Sequence, residues 1–426
     1  MANIPFPRGV RDLMPNEALF RNEVIAKIEG VFRNMGFLTI DTPSFESMVV
    51  LNAKNALGDE GKLIYTLDDK ELGLRYDNTV SLARYMAMHQ ELPLPFKRYY
   101  TGKVWRRDEP QKMRYREFTH IDADIIGGSR ANTDAEVIAA GAKALEALGI
   151  TDYSIDINDR GVADLVFEKF GVPKEKVTDV FRAVDKLYKL GEGKVSDLIR
   201  ALGLANELVD QVMGFVTRDG TNEEKLDYLR GILGGGKGCD ELATMLQLLP
   251  SYGLRGSVNL NFSIMRGLDY YTGVIVEYKL AGEDQKDSFG AGGRYDSLIG
   301  TYNNGKSMPA VGIAMGLDKI LEHLKFSGSI EYTYAKAFVI HVKDTNYAYG
   351  LEVANRLREA GIPTDINMAA RNLANQMSYA NSIRVKYAVI VGDVEQNSQK
   401  VKLRNLITGE ELTLNIDEAI QIIGRK

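Results

Sequence analysis

The 426-residue sequence predicts an α+β chain: a strand-bearing core flanked by helices, an all-helical insertion, and a small C-terminal α/β domain. Three observations predict this. Short strand-like runs crowd residues 63–126 and return at 257–262 and 273–278. Between 170 and 238 strand signals vanish and helical patterns follow one another. From residue 335 onward strand and helix patterns alternate.

The first helix is expected over residues 16–35, where Leu19, Phe20, Val24, Ile28, Val31, Phe32 and Met35 fall mostly three or four apart before Gly36. Residues 37–43 read as a strand that Pro43 confines to an edge, a strand end or an interface. LIYTL, ELGLRY and residues 96–105 are further strand candidates, and 119–126 alternates as another. A helix is expected over 133–148, with Asp134 and Glu136 at its positive end. The insertion is read from VTDVFRAVDKLYKL, VSDLIRALG, ANELVDQVMGFV and EEKLDYLRGIL. The last block reads as strand FVIHV, helix YAYGLEVANRLREAG, strand IPTDI, helix LANQMSYANS and strand YAVIVG. No solenoid repeat is visible. The expected boundaries are 1–168 and 239–328 for two parts of the core, 169–238 for the insertion and 335–426 for the last domain.

With 45% hydrophobic and 26% charged residues, the chain can bury sizeable cores and is neither disordered nor collagen-like. One cysteine, Cys239, forms no internal disulfide, and with four histidines no Cys/His metal cluster is expected. The opening residues lack an apolar core of signal-peptide length, and no apolar run approaches ~20 residues. The expectation is a soluble, cytoplasmic protein without membrane partners. Net charge is −5, yet residues 97–116 hold eight Lys/Arg against Asp108 and Glu109. A solvated face is the ordinary fate of such a run. Here Tyr99, Tyr100, Trp105 and Tyr115 interleave with the charges, which a purely solvated face has little use for.

GILGGGKG (231–238) has P-loop spacing. However, Gly238 replaces the magnesium-binding Ser/Thr and a helix pattern precedes it, so it reads as a hinge. SFGAGGRYD (288–296) is either a turn or a place where backbone approaches a ligand closely. RGLDYYTG (266–273) sets a guanidinium, a carboxylate and two tyrosines between strands; the arginine could equally be a structural ion-pair partner. RRDEP (106–110) and RYREF (114–118) read as two strands joined by a polar loop. If they pair, Arg106, Arg114 and Arg116 converge on one ligand, and forked guanidiniums grip phosphate oxygens bidentately.

Taken together these segments resemble histidyl-tRNA synthetases of class II, over nearly the whole chain. RGLDYYTG and AGGRYDSL (291–298) resemble that family's two histidine signatures. VWRRDEPQKMRYREF (104–118) resembles class II motif 2 in an archaeal and eukaryotic version, and FLTIDTPSFE (37–46) resembles motif 1. PRGVRDLMPNE (7–17) and LRYDNTVSLARY (74–85) also match.

The resemblance implies a six-or-so-stranded antiparallel core, a helical insertion and an anticodon-binding α/β domain. It implies activation of L-histidine by ATP with Mg2+ and transfer to the 3′ end of tRNA(His) by a homodimer, the first helix and Pro43 lying near the axis. It places Arg106 and Arg266 on the α-phosphate, where cations offset charge developing in the transition state. It places Asp77 and Thr79 on the substrate's α-amino group. Tyr270, Tyr271 and Tyr295 match the imidazole pocket, with His120 and Asp124 as further histidine contacts. Arg114 and Arg116 face the pyrophosphate, and Lys319 the adenine. Arg107, Gln111 and Lys112 are expected at the tRNA acceptor end, and Arg371 at the anticodon. No protein-held metal site is expected.

Two positions depart from the family pattern. His120 stands where many relatives carry glutamine, and its donor and acceptor roles depend on tautomer. Asp318-Lys319 replaces the usual Glu-Arg of motif 3, keeping the charge but losing the planar face that stacks on adenine. Two other functions are weighed. A catalytically silent regulatory subunit of a histidine-biosynthesis phosphoribosyltransferase would tend to lack the C-terminal domain and degrade RGLDYYTG; this chain keeps both. A pure RNA-binding module would explain the basic island but not the tyrosine pair.

Overall fold

A computed structural model of the chain describes residues 5–52, 58–68, 70–111, 113–265, 270–280, 288–324, 333–369 and 372–425. The chain divides into two compact units, one of residues 1–11 and 24–324 and the other of 12–23 and 325–426.

The first unit is built on an eight-stranded sheet. Its strands include β1 (Leu38–Thr39), β4 (Phe96–Trp105), β5 (Glu117–Ile126), β6 (Tyr153–Asp159) and β7 (Ser257–Leu260), while β2 (Phe45–Ser47) and β3 (Leu72–Leu74) form a separate two-stranded antiparallel sheet. With β8 (Val274–Leu280), β9 (Ser288–Arg294) and β10 (Ala310–Gly316) the order is β1-β4-β5-β10-β9-β8-β6-β7. The expected antiparallel core is present at the centre. The strands number eight rather than six or so, and both edge pairs, β1 with β4 and β6 with β7, are parallel. Each edge strand is separated from its neighbour by a long excursion, and only such a crossover lets a strand enter parallel to the one beside it.

The helices are α1 (Pro15–Asn34), α2 (Met48–Leu51), α3 (Thr79–Met88) and α4 (Arg130–Ala147), then α5 (Arg160–Phe170), α6 (Val177–Val184), α7 (Leu187–Leu190) and α8 (Glu192–Ala201). After these come α9 (Asn206–Val216), α10 (Asn222–Leu233), α11 (Lys237–Leu248), α12 (Asp296–Tyr302) and α13 (Leu317–His323). In α1 the buried Val24, Ile28 and Phe32 keep the i, i+4 spacing read from the sequence. The predicted strand at 37–43 shrinks to Leu38–Thr39. LIYTL supplies only an isolated bridge from Thr66 to Gly73.

Helix is continuous in character from α5 to α11, so it begins before residue 169 and runs past 238. Asp159 caps α5 by accepting from the Val162 N–H at 2.9 Å. Thr221 and Glu224 form a reciprocal capping box on α10. Within GILGGGKG, Gly234, Gly235 and Gly236 link α10 to α11, at φ of 73°, 90° and 119°. A left-handed helix-to-helix turn explains those glycines without any phosphate.

The sheet's two faces have different work. On one, Ile121, Ala123 and Ile125 of β5 and Val311, Ile313 and Met315 of β10 are buried, with α4 packed on these strands. The Tyr278 hydroxyl on β8 donates to the Ile138 carbonyl of α4 at 2.8 Å. On the other, the register sets Arg98, Tyr100 and Gly102 of β4 opposite Asp124, Asp122 and His120 of β5. Those three face Gly312, Ala314 and Gly316 of β10 in turn. A polar, small-residue stripe in the middle of a buried sheet is where a ligand is admitted.

The second unit holds a five-stranded sheet ordered β12-β11-β13-β14-β15. Its strands are β11 (Ala337–His341), β12 (Thr364–Ile366), β13 (Tyr387–Val391), β14 (Val401–Asn405) and β15 (Glu411–Leu414). Its helices are α14 (Tyr347–Glu359), α15 (Leu373–Ser382), α16 (Asp393–Ser398) and α17 (Ile416–Gly424). The first three strands are parallel, as the alternation predicted, and β14 and β15 add an antiparallel hairpin the sequence reading did not include.

Candidate active site

The site lies on the polar face of the large sheet. Asp77, just before α3, is buried and accepts the Val80 N–H at 3.0 Å through Oδ1. Its Oδ2 accepts the Tyr270 hydroxyl at 3.3 Å. Burial pushes its carboxyl up, opposed by that N–H and by Arg106. Thr79, half-buried at the first turn of α3, lies beside Tyr270. The Tyr270 ring meets Tyr271 edge-on at 5.0 Å and Tyr295 at 6.1 Å.

Asp124 is the second anchor. Its Oδ1 accepts the Tyr295 hydroxyl at 2.5 Å, and its Oδ2 pairs with Arg98 Nη2 at 2.9 Å. Arg98 is only 1% exposed, so removing either partner strands a buried charge at a cost of about 3–5 kcal/mol. Burial raises the Asp124 carboxyl, while Arg98 and Tyr295 hold it down. Burial likewise pushes the Tyr270 and Tyr295 hydroxyls up, helped by the Asp77 and Asp124 charges. They therefore remain protonated donors. Gly312 on β10 makes this close packing possible: a Cβ there would stand 1.9 Å from Asp124 Oδ1.

Arg106, just past the end of β4, is held between two rings. Its guanidinium carbon lies 4.1 Å from the Tyr76 ring centre and 5.1 Å from that of Phe118, and its Nε donates to the Tyr76 carbonyl at 3.3 Å. Two such contacts, worth about 0.5–2 kcal/mol each, fix a planar cation without neutralising it.

The three arginines expected to converge are arranged differently. The strands end at Trp105 and resume at Glu117, so 106–116 is a loop, closed by mutual backbone bonds between Gln111 and Arg114 at 3.2 and 3.0 Å. Arg114 pairs with Asp108 at 2.9 Å, while Arg116 donates to the Asp108 carbonyl at 2.9 Å. Asp108, one of only two acids in this basic run, thus organises the loop. Residues 8–11 brace the same loop: Gly9 accepts the Arg116 N–H at 2.7 Å, and Arg8 pairs with Glu109. Arg107 and Gln111 are both exposed. Arg266, Lys112 and Arg371 lie outside the described residues.

In motif 3, Asp318 pairs with Arg11 at 2.6 Å, and Arg11 covers the Tyr115 ring at 4.7 Å. Lys319 is half-buried on α13. Buried Arg75 of the 74–85 turn donates to the motif 1 carbonyls of Thr42 and Pro43 at 3.0 and 3.4 Å, to the Lys103 carbonyl at 2.8 Å and to the Tyr100 hydroxyl at 3.0 Å. It thus ties motif 1, the 74–85 turn and β4 together. Arg294 of AGGRYDSL is fully buried and pairs with Asp134 at 2.5 Å and Asp296 at 2.9 Å, a structural clamp beside Tyr295.

Four residues of this face were missed from the sequence: Arg98, Asp122 and the ring pair Tyr76 and Phe118. The signal was present for Asp122, because HIDAD alternates polar and apolar inside an otherwise apolar strand.

Residues 9–320 match the family described as histidyl-tRNA synthetase, and 336–426 match an anticodon binding domain. The chain belongs to the histidyl-tRNA synthetase family. The histidine–tRNA ligase of Korarchaeum cryptofilum is 36% identical, with 94% of each chain covered. That of Phocaeicola vulgatus is 34% identical over 98% of each. The crystal structure of histidyl-tRNA synthetase from Nostoc sp. PCC 7120 superposes with a TM-score of 0.86 at 30% identity, covering both chains entirely. A Bacillus halodurans structure titled as an ATP phosphoribosyltransferase regulatory subunit/histidyl-tRNA synthetase has a TM-score of 0.77. It is 21% identical, covering 92% of this chain and 98% of its own, and shares the fold.

Proposed function

We propose that the chain is a histidine–tRNA ligase: it activates L-histidine with ATP to histidyl-adenylate and pyrophosphate, then transfers the histidyl group to the 3′ end of tRNA(His), releasing AMP. The observation that carries the chemistry is the pairing of a sealed carboxylate–tyrosine pocket with a caged cation. Asp77 and Asp124 are buried with hydroxyl donors from Tyr270 and Tyr295, and Arg106 is fixed between Tyr76 and Phe118.

Asp77 and Thr79 would take the α-ammonium, and Asp124 with the tyrosines the imidazole. A site built on such hydrogen bonds leaves its polar groups unpaired when another side chain enters, which rejects by up to ~10⁴ or more. Arg106 would meet the α-phosphate, with Arg266 as the second cation. Arg114 and Arg116 would serve the pyrophosphate, and Lys319 the adenine. Magnesium would arrive on the nucleotide's phosphates. Arg107, Gln111 and Lys112 would meet the acceptor end and Arg371 the anticodon. A domain plan of 1–168 and 239–328 for the catalytic core, with 169–238 as insertion and 335–426 for the anticodon, fits these roles.

A homodimer is supported by exposed apolar side chains around motif 1: Leu38, Phe45 and Val49 are 61%, 52% and 80% exposed. Cytoplasmic residence is our reading from the single cysteine; among the described residues no helix is long and apolar enough to cross a membrane. The test is histidine-dependent ATP–pyrophosphate exchange without tRNA, alongside Arg266→Ala. Exchange with histidine, lost in the variant, is expected; none under excess ATP and magnesium overturns the reading and favours the regulatory relative.

A further inference from the structure

Between the two site residues His120 and Asp124 on β5 sits a carboxylate that the reading above leaves without a task. Asp122 is 2% exposed, and neither of its oxygens has a hydrogen-bond partner among the described residues. Its strand neighbour on the same face, His120, has Nδ1 buried and equally unpartnered, 3.9 Å from Asp122 Oδ1. The Asn78 amide lies toward Asp122 and favours its charged form, though outside full hydrogen-bond geometry. Arg98 also favours the Asp122 charge, but its guanidinium makes its ion pair with Asp124. A buried carboxylate with no partner is costly, and groups left so at a ligand face are usually completed when the ligand binds.

We infer that Asp122 is a positioning residue: it holds His120 as the Nδ1–H tautomer, so that Nε2 carries the lone pair offered to the amino-acid substrate. An imidazole has one donor and one acceptor when neutral, and whichever nitrogen is fixed by a neighbour decides the other. Above about pH 7, where Asp122 is ionised, a carboxylate facing Nδ1 can only accept, so Nδ1 must carry the hydrogen. The ring's side chain is 13% exposed while Nδ1 is sealed, so its residual exposure lies away from Nδ1. Phe118 meets the ring edge-on at 5.1 Å and limits its rotation. Burial and Arg106 keep the imidazole neutral, pushing it down to about 3. An acceptor at Nε2 suits an α-ammonium group; a donor there would repel it. The separation of 3.9 Å must shorten on substrate entry, as contacts in unliganded sites commonly do.

This rests on the ligase reading, and the experiment separates the two. Histidine KM and kcat are measured by pyrophosphate exchange for the full-length chain, Asp122→Asn, His120→Gln and the double variant. A glutamine oxygen accepts without any tautomer to set. With His120 in place, Asp122→Asn is expected to raise KM about tenfold with kcat changed less than about twofold. Added to His120→Gln, the same substitution should change KM less than about twofold. Equal KM effects with and without His120→Gln overturn the inference while leaving the ligase reading standing; no exchange by the unmodified chain overturns the latter. At pH 8, ¹⁵N-histidine NMR of the unmodified chain should show the Nδ1–H tautomer at the resonance that His120→Gln removes. An Nε2–H tautomer there sinks the proposal.

Discussion

Lys319 is a single side chain that separates charge from shape. Its ammonium is a point charge on a flexible stem, whereas arginine offers a planar face that stacks on a base. Lys319→Arg is therefore expected to lower the KM for ATP severalfold with little change in that for histidine; steady-state exchange with each substrate varied checks it. Asp122 makes a pH prediction. Burial pushes it up to about 7, with Arg98 opposing and Asp124 and Asp77 adding repulsion, against an ordinary value of 3.8. Between those values the folded chain holds a proton that the unfolded chain has lost, so this residue's contribution to stability falls as pH rises and is fully lost above about 7. Asp122→Asn removes the titration. Its melting temperature relative to the unmodified chain should rise from about pH 5 to about pH 8; a pH-independent difference would contradict the assignment.

At the scale of elements, the site is a property of strand register. β5 alternates so that Ile121, Ala123 and Ile125 are buried on one face and His120, Asp122 and Asp124 share the other. Both period and polarity were legible in the sequence; what β5 faces was not. The registers with β4 and β10 set both Arg98 and Gly312 against Asp124, partners that lie far from it along the chain. The glycine matters because a methyl group there would collide with the Asp124 carboxylate. Gly312→Ala should displace Asp124 from Tyr295 and Arg98, raise histidine KM at least about tenfold and destabilise by about 1–3 kcal/mol. Kinetics with a thermal melt of the same preparation tests both. The loop 106–116 shows the opposite case. Its arginines announced a phosphate site, but sequence could not say that Asp108 holds Arg114 and Arg116 while aromatic rings hold Arg106.

For the whole molecule, the proposal divides chemistry from recognition. Residues 9–320 match the synthetase family and 336–426 the anticodon-binding family. Arg371→Ala should leave pyrophosphate exchange unchanged and lower aminoacylation of tRNA(His) about tenfold, read as the ratio of the two rates; loss of exchange would show that the residue serves something other than tRNA. The sequence by itself determined the α+β class, the strand-free interval, the alternating strands and helices of the C-terminal block and the family, because these rest on local periodicity and contiguous motifs. Tertiary structure decided the eight-strand order, the parallel edges and the ring cage around Arg106. It also decided which partners the buried carboxylates meet. Those features depend on which distant strands meet and in what register, and neither is encoded in the spacing of residues along a single segment.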